Sequence, residues 1–343
     1  MACFRVPDCL PFESTLRRIV DALSEVLRII SLDSAIYFNA EMSEPWCFVS
    51  PEARTLAPVF VRGARHVIIF HFLAEGRASV RLEDGTRVEL HAGDIVSFPH
   101  GHSHSLGSGQ DATPIDVGST LPDVLEHGLG LVRVGGDGPR ARLICGFIAC
   151  DPQLCQAFLG GLPPVLSVNI RDDPSGQWLE NSLQFSVTEG ARRQAGSGAV
   201  VAKLSEVVFA ETLRRYLQKL PHGETGWLAA ARDTEVGKAL TLLHQRHAHP
   251  WTVAELAHEV GMSRTVLAER FRHFLGEPPI AYLTRWRLRL GARALETTSH
   301  SVAQVAADTG YESEAAFNRA FKRAHGVPPA RYRKERSTLR ASA

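Results

Sequence analysis

Thr252-Val-Ala-Glu-Leu-Ala-His-Glu-Val-Gly-Met262 and Ser301-Val-Ala-Gln-Val-Ala-Ala-Asp-Thr-Gly-Tyr311 are two copies of one pattern, 49 residues apart. One extra residue further on, Phe274-Leu-Gly-Glu-Pro-Pro-Ile-Ala-Tyr282 matches Ala324-His-Gly-Val-Pro-Pro-Ala-Arg-Tyr332 more loosely, with the glycine, the proline pair and the tyrosine in agreement. Each copy predicts a helix opened by Thr252 or Ser301 as N-cap, a turn at Gly261 or Gly310, and a second helix. Glycine suits the turn because it accepts a positive φ at little cost, and the small Ala257 and Ala306 let the two helices approach closely. In the second helices Leu267 and Phe271, and Phe317 and Phe321, fall on the buried side, which leaves the residues between them free to meet a major groove. The chain therefore carries two helix-turn-helix units.

Charge supports a nucleic-acid partner for this part of the chain. The whole sequence of 343 residues has a formal net charge of +1, but residues 235–343 hold 17 Lys and Arg against 10 Asp and Glu, and the remainder holds 21 against 27. A basic block joined to an acidic one is the asymmetry expected when one domain meets phosphates and the other does not. A helical repeat that binds another protein is the alternative. Two units instead of a longer array, basic residues on both second helices and the positive block favour DNA. Arg285-Trp-Arg-Leu-Arg-Leu-Gly-Ala-Arg293 predicts a basic helix that holds the units at a fixed separation.

These residues resemble the AraC/XylS family of transcriptional regulators over about residues 235–335. Gly310-Tyr-Glu-Ser-Glu-Ala-Ala-Phe-Asn-Arg-Ala-Phe-Lys-Arg-Ala-His-Gly-Val-Pro-Pro-Ala-Arg-Tyr-Arg333 matches that family's signature almost throughout. The resemblance implies two recognition helices in successive major grooves on one face of the DNA. It places Thr265, Ala268, Glu269 and Arg272 of the first helix, and Glu314, Ala315, Asn318, Arg319 and Lys322 of the second, near bases or phosphates. Ala268 and Glu269 depart from the longer polar or basic side chains frequent at those positions; a glutamate accepts from cytosine but repels phosphate. In the second helix Arg319 suits guanine O6 and N7, and Asn318 suits adenine. The partners implied are double-stranded promoter DNA, RNA polymerase, an effector (small molecule, metal or oxidant) and a second copy of the chain in a homodimer.

The length allows two domains, and 44% hydrophobic residues suit a soluble globular chain. No apolar run of about 18 residues occurs, and acids and arginines interrupt the first thirty residues, so the cytoplasm is the expected location and no membrane partner is implied. Six cysteines, at 3, 9, 47, 145, 150 and 155, without an export signal read as thiols, ligands or packing groups, with Cys150 and Cys155 as packing thiols.

Residues 12–30 predict an amphipathic helix. From about 46 to 150 the texture changes to short strand-like runs, including Val67-Ile-Ile-Phe-His-Phe-Leu73, Ala78–Leu82, Val88–Leu90 and Asp94–Phe98, with glycine-containing turns; this predicts an all-β barrel or sandwich. Gly135-Gly-Asp-Gly-Pro139 is a loop within that region, because strand-like residues resume at Ala141. Helical patterning returns after 176, and Val200–Leu220 predicts a helix that either covers the barrel or forms a dimer contact. Pro221-His-Gly-Glu-Thr-Gly226 breaks it, and the next helix is predicted at roughly 234–247. The expected organisation is α+β with two domains: a cupin-like β-barrel with flanking helices over 1–221, a linker over 222–234, and an all-α double helix-turn-helix domain over 235–337.

The cupin expectation rests on Gly93-Asp-Ile-Val-Ser-Phe-Pro-His-Gly-His-Ser-His104, which fits the second cupin motif G-x5-P-x-G-x2-H. The first cupin motif, with paired histidines and a glutamate, is not recoverable, which weighs against an ordinary cupin oxygenase site and a catalytic role. The competing reading is a metal-dependent cupin enzyme fused to a DNA-binding domain; a protein-interaction module is the third. Histidines are dense here, at 66, 71, 91, 100, 102 and 104. Neutral imidazole binds zinc, copper, iron or nickel, and thiolate favours zinc or copper(I). His71 and His104 fall on or beside strand positions expected to face inward, and Cys145-Gly146 ends a strand that could lie opposite. A subgroup of cupin-bearing regulators has similar residues, so His71, His104 and Cys145 are candidates for a metal site, zinc being the cofactor such donors suit, or for a redox-responsive site. The ordinary reading is three satisfied polar groups inside a barrel.

Overall fold

The computed structural model describes residues 22–29, 32–60, 66–109, 112–116, 132–150, 162–192, 194–221 and 223–341. Of the helix expected over 12–30, the part described is α1 (Ala22–Ile29). Cys3, Cys9 and Cys155 lie outside the described residues.

Eleven strands are described: β1 (Leu32–Ser43), β2 (Trp46–Ser50), β3 (His66–Glu75), β4 (Arg77–Leu82), β5 (Arg87–His91), β6 (Asp94–Phe98), β7 (His104–Ser108), β8 (Pro114–Asp116), β9 (Val132–Gly135), β10 (Arg140–Cys150) and β11 (Leu166–Asn169), with α2 (Ala53–Phe60) between β2 and β3. They form a six-stranded sheet in the order β11-β6-β3-β10-β1-β9 and a five-stranded sheet in the order β5-β4-β7-β2-β8. Here the structure corrects the expected barrel in one detail. Among the described residues the edge strands of one sheet form no ladder with those of the other, so the two sheets face each other through side chains.

The run over Val67–Leu73 is apolar at nearly every position because β3 is buried on both faces. Val67, Ile69 and Leu73 pack toward the second sheet with Val80, Leu106, Leu143 and Phe147. Ile68, Phe70 and Phe72 pack on the other face with Leu179, Leu183, Val208 and Phe209, from the helices α3 (Gly176–Arg192) and α4 (Ser197–Lys219) that cover the sheet. Alternation therefore sends His71 into the space between the sheets. The helix expected over 200–220 is thus a covering helix, and the Tyr37 and Ser205 hydroxyls fasten it to β1 at 2.7 Å.

The segment expected as a linker contains a short helix, α5 (Trp227–Arg232), directly followed by α6 (Thr234–Gln245), capped by the Asp233 side chain. The first helix-turn-helix unit is α7 (Val253–Glu259) and α8 (Arg264–Leu275), and the second is α10 (Val302–Asp308) and α11 (Glu314–His325). Between them runs α9 (Pro279–Thr297), and α12 (Pro329–Ala341) follows the second unit. The expected caps form: Thr252 accepts from the Glu255 N–H and Ser301 from the Gln304 N–H. The turns place Gly261 at φ +74° and Gly310 at φ +82°, and a Cβ at Gly310 would also meet the Ala248 backbone.

Helix α9 explains the fixed spacing of the units. Its first half buries Tyr282, Leu283 and Trp286 with Leu267 and Phe271 of the first unit. Its second half buries Leu288, Ala292 and Leu295 with Val305, Phe317 and Phe321 of the second. One rigid rod thus belongs to both cores.

Candidate functional site

The two second helices can be laid over each other position by position, because Leu267 and Phe271 in α8 occupy the buried places of Phe317 and Phe321 in α11. On that alignment Thr265, Ala268, Glu269 and Arg272 correspond to Ala315, Asn318, Arg319 and Lys322. Thr265, Glu269, Arg272, Ala315, Arg319 and Lys322 are exposed, as is Glu314, while Ala268 and Asn318 are half-buried. Seen from the helix axis, these side chains point away from the core residues, so each unit offers one solvent-facing stripe.

Three details lay beyond the sequence reading. Arg264, His273 and Arg323 extend the same exposed stripes, and helical spacing would have found them. Arg270 does not: its guanidinium turns inward to the carboxylates of Asp233 and Glu235 at the start of α6. The Asn318 amide donates to the Glu314 carbonyl at 3.0 Å, so contact with an adenine requires that bond to open.

The second cluster lies between the sheets. Cys145 on β10 and His71 on β3 stand directly opposite in the ladder, and His104 comes from β7 of the facing sheet. The three expected residues do converge, each 1–2% exposed. They converge as a chain. His71 Nδ1 lies 3.0 Å from Cys145 Sγ, His71 Nε2 lies 2.9 Å from His104 Nε2, and His104 Nδ1 lies 2.9 Å from the His102 carbonyl oxygen.

The carbonyl fixes every proton in this chain. It can only accept, so His104 Nδ1 carries hydrogen. Burial lowers the His104 pKa to about 4, leaving the ring neutral and Nε2 an acceptor. His71 must therefore donate through Nε2. Burial, with His104 beside it, drives His71 well below the usual imidazole range, so its Nδ1 is in turn an acceptor. That nitrogen faces Cys145, whose thiol is pushed up by burial and so keeps the proton it donates. The Phe98 ring stacks on His104 at 3.6 Å between centroids, and Phe48 meets His71 edge-on at 5.5 Å.

As they stand, His71, His104 and Cys145 form a hydrogen-bonded chain in place of a shared coordination sphere. The two nitrogens of one imidazole diverge, and here each faces a different partner, so one cation cannot bond all three residues as they stand. Among the described residues no group of three or more His, Cys, Asp or Glu side chains is arranged to hold a metal ion. His66 and His100 are engaged elsewhere, with the carbonyls of Pro99 at 2.7 Å and Leu162 at 2.9 Å.

Comparison with known proteins agrees with both halves. A cupin family model matches residues 21–218, and a helix-turn-helix domain model matches residues 256–335. A putative AraC-like transcription regulator of Streptomyces lividans is 34% identical over 288 residues, which span 81% of this chain and 93% of that protein. The chain belongs to the AraC family of transcription regulators. As an AraC-type regulator it carries a cupin domain followed by the DNA-binding domain. The HTH-type transcriptional regulator AlkR of Acinetobacter baylyi is a further relative, 29% identical over 92% of this chain and 100% of its own. Among solved structures, the DNA-binding domain of AdpA in complex with a target DNA is 29% identical, covering 32% of this chain and 100% of that chain at a TM-score of 0.31. No described helix of this AraC-type chain is long and apolar enough to cross a membrane.

Proposed function

We propose that this regulator reads promoter DNA with α8 and α11 in successive major grooves, and that its cupin half adjusts that binding in response to an effector. The observation that carries this reading is the pair of matched exposed stripes, Thr265, Ala268, Glu269 and Arg272 on one helix and Glu314, Ala315, Asn318, Arg319 and Lys322 on the other, held at a fixed separation by α9. Ion pairing supports the assignment. Arg270 is spent on Asp233 and Glu235, whereas Arg272, Arg319 and Lys322 have no acidic partner among the described residues. In the same reading RNA polymerase is the protein partner at the promoter, a second copy of the chain completes a homodimer, and the cytoplasm is the location. The cupin half acts as a sensor domain and catalyses no reaction.

Affinity for a duplex selected from random sequence is expected to fall steeply as salt rises, because each neutralised phosphate releases counterions. Binding that ignores salt, or no binding to any duplex, would count against the reading. Within that complex, Arg319→Ala is expected to cost about 1–3 kcal/mol and to relax the preference at one base pair, the signature of a guanine contact. A variant that weakens selected and scrambled duplexes alike would make Arg319 a phosphate contact. Titration of both duplexes by fluorescence anisotropy separates these results.

A further inference from the structure

The Cys145–His71–His104 chain ends opposite Ser50, one of two buried polar residues on β2 with an unmatched side-chain atom among the described residues. Ser50 Oγ and Trp46 Nε1 have no hydrogen-bond partner among the described residues, although Ser50 is 1% and Trp46 2% exposed. Ser50 stands directly opposite His104 in the β2–β7 ladder, and opposite residues of an antiparallel pair share a face. Trp46 and Phe48 precede it on that same face at alternate positions, and Phe48 is the ring that meets His71. Buried polar groups are otherwise almost always hydrogen-bonded, so the Ser50 hydroxyl left open opposite His104 marks a place where a small polar guest would find a partner.

We propose that a small uncharged oxidant of the peroxide class reaches this layer and that Cys145 is the thiol it modifies, with His71 as the base. The proposal rests on the reading of the cupin half as a sensor domain. The enclosing Phe48, Phe98 and Phe147 set the class of guest, since a charged oxidant would have to shed its water to enter. The thiol already points its proton at His71 Nδ1. As sulfur attacks one peroxide oxygen, an S–O bond forms and the O–O bond breaks. Because burial holds the proton on the thiol, it crosses to Nδ1 only as the S–O bond forms, and the transient imidazolium donates from Nε2 to His104, whose own N–H rests on the His102 carbonyl. The leaving hydroxide then takes the proton back and departs as water. Sulfur is oxidised by two electrons to a sulfenic acid, the peroxide is reduced by two, and no other reactant is required.

The product adds an oxygen atom to a layer in which Phe98 and His104 already stack at 3.6 Å. A chain of contacts leads outward from there. Phe38 faces Cys145 in the β1–β10 ladder, and the adjacent Tyr37 is hydrogen-bonded to Ser205 of α4. Just past the end of α4, the Leu220 carbonyl accepts from Arg232, and Gly226 N–H donates to the Phe274 carbonyl near the end of α8 at 2.8 Å. DNA affinity is the measure of whether this continuity transmits anything.

The test uses the full chain with Cys3, Cys9, Cys47, Cys150 and Cys155 replaced by serine, treated with hydrogen peroxide and dimedone. Mass spectrometry is expected to find the sulfenic adduct on Cys145. The labelling rate should fall about tenfold in His71→Gln and fall less in His104→Gln. Affinity for the selected duplex should change at least tenfold on oxidation and recover with thiol reductant. Near-UV circular dichroism checks each fold, and if His71→Gln fails to fold, the His104→Gln rate decides the role of the chain. Three results would overturn the proposal: Cys145 unlabelled in the folded chain at peroxide levels that label it in urea, labelling at equal rates with and without His71, or labelling that leaves DNA affinity unaltered. Metal that co-purifies with the wild type and is lost in His71→Gln would overturn it also. Because labelling is read by mass alone, failure of the reduced protein to bind DNA would defeat the DNA-reading function without touching the thiol result.

Discussion

Between pH 6.5 and about 4 the protein is expected to lose stability because three buried neutral histidines resist protonation, each at up to about 1.4 kcal/mol per pH unit while its folded ring stays neutral. His71 and His104 supply two of them in the cupin half. The third is His244 in the DNA-binding half, which burial first, then Arg289 and His247, lower to about 3. Its ring stacks on Trp286 at 3.9 Å and its Nε2 meets the Tyr282 hydroxyl at 2.8 Å. All three have folded pKa values below the roughly 6.5 of an unfolded imidazole. Above pH 6.5 both states hold the neutral form and the contribution to stability is fully present. As pH falls through 6.5 the unfolded chain takes up protons that the folded chain refuses, so stability declines until the folded rings also protonate. For His104 the gap from 6.5 to about 4 is worth about 3 kcal/mol, and for His244 the gap to about 3 is worth about 5 kcal/mol. Urea unfolding followed by far-UV circular dichroism at pH 7.5, 6.5, 5.5 and 4.5 measures this slope. A stability that stays flat from 6.5 to 4.5 would mean that these rings are hydrated or charged in the folded protein.

The contrast between His71 and Arg270 shows what the sequence could convey about the sites. Strand alternation alone sends His71, His104 and Cys145 to one interior, because a period of two leaves a side chain only two directions. It says nothing about which nitrogen of His71 meets which partner. That is fixed by a ladder register, by a facing sheet and by one carbonyl at His102, and the difference between a cation site and a proton chain lies entirely in that geometry. Arg270 shares a helix with the exposed Arg272 and has the same charge, yet it is turned inward by acids 35 and 37 residues earlier in the chain. The helix-turn-helix repeat was legible because caps, turn glycine and core spacing are all local signals. The unclosed sheets and the six-residue helix α5 were hidden for the opposite reason: strand edges have no local signature, and α5 sits among Pro221, Gly223 and Gly226, which read as a plain break.

Phe317→Ala is expected to destabilise the second helix-turn-helix unit by about 3–5 kcal/mol, the usual cost of emptying a fully buried phenylalanine site. The ring lies within 5.2–5.3 Å of the Tyr311 and Phe321 rings. It also presses on α9, where a Cβ built on Gly291 would stand 2.8 Å from its Cζ atom. Gly291→Ala by itself would gain up to about 1 kcal/mol of helix propensity. The clash displaces the ring, however, and overpacking of this kind costs about 1–3 kcal/mol, so the single variant is expected to be less stable than wild type. In the Phe317→Ala background the same methyl enters the vacated space, and its effect should change sign. A double-mutant cycle should therefore show a coupling of at least about 1 kcal/mol between positions 291 and 317. Because Phe271 and its neighbours form a core distinct from that of Phe317, amide exchange in α7 and α8 should stay slow while α10 and α11 lose protection. Affinity for DNA should fall at least tenfold, as one of two recognition helices is no longer held in place. Additive effects at 291 and 317, or loss of protection spread equally over both units, would show that α9 does not meet the second unit through this contact.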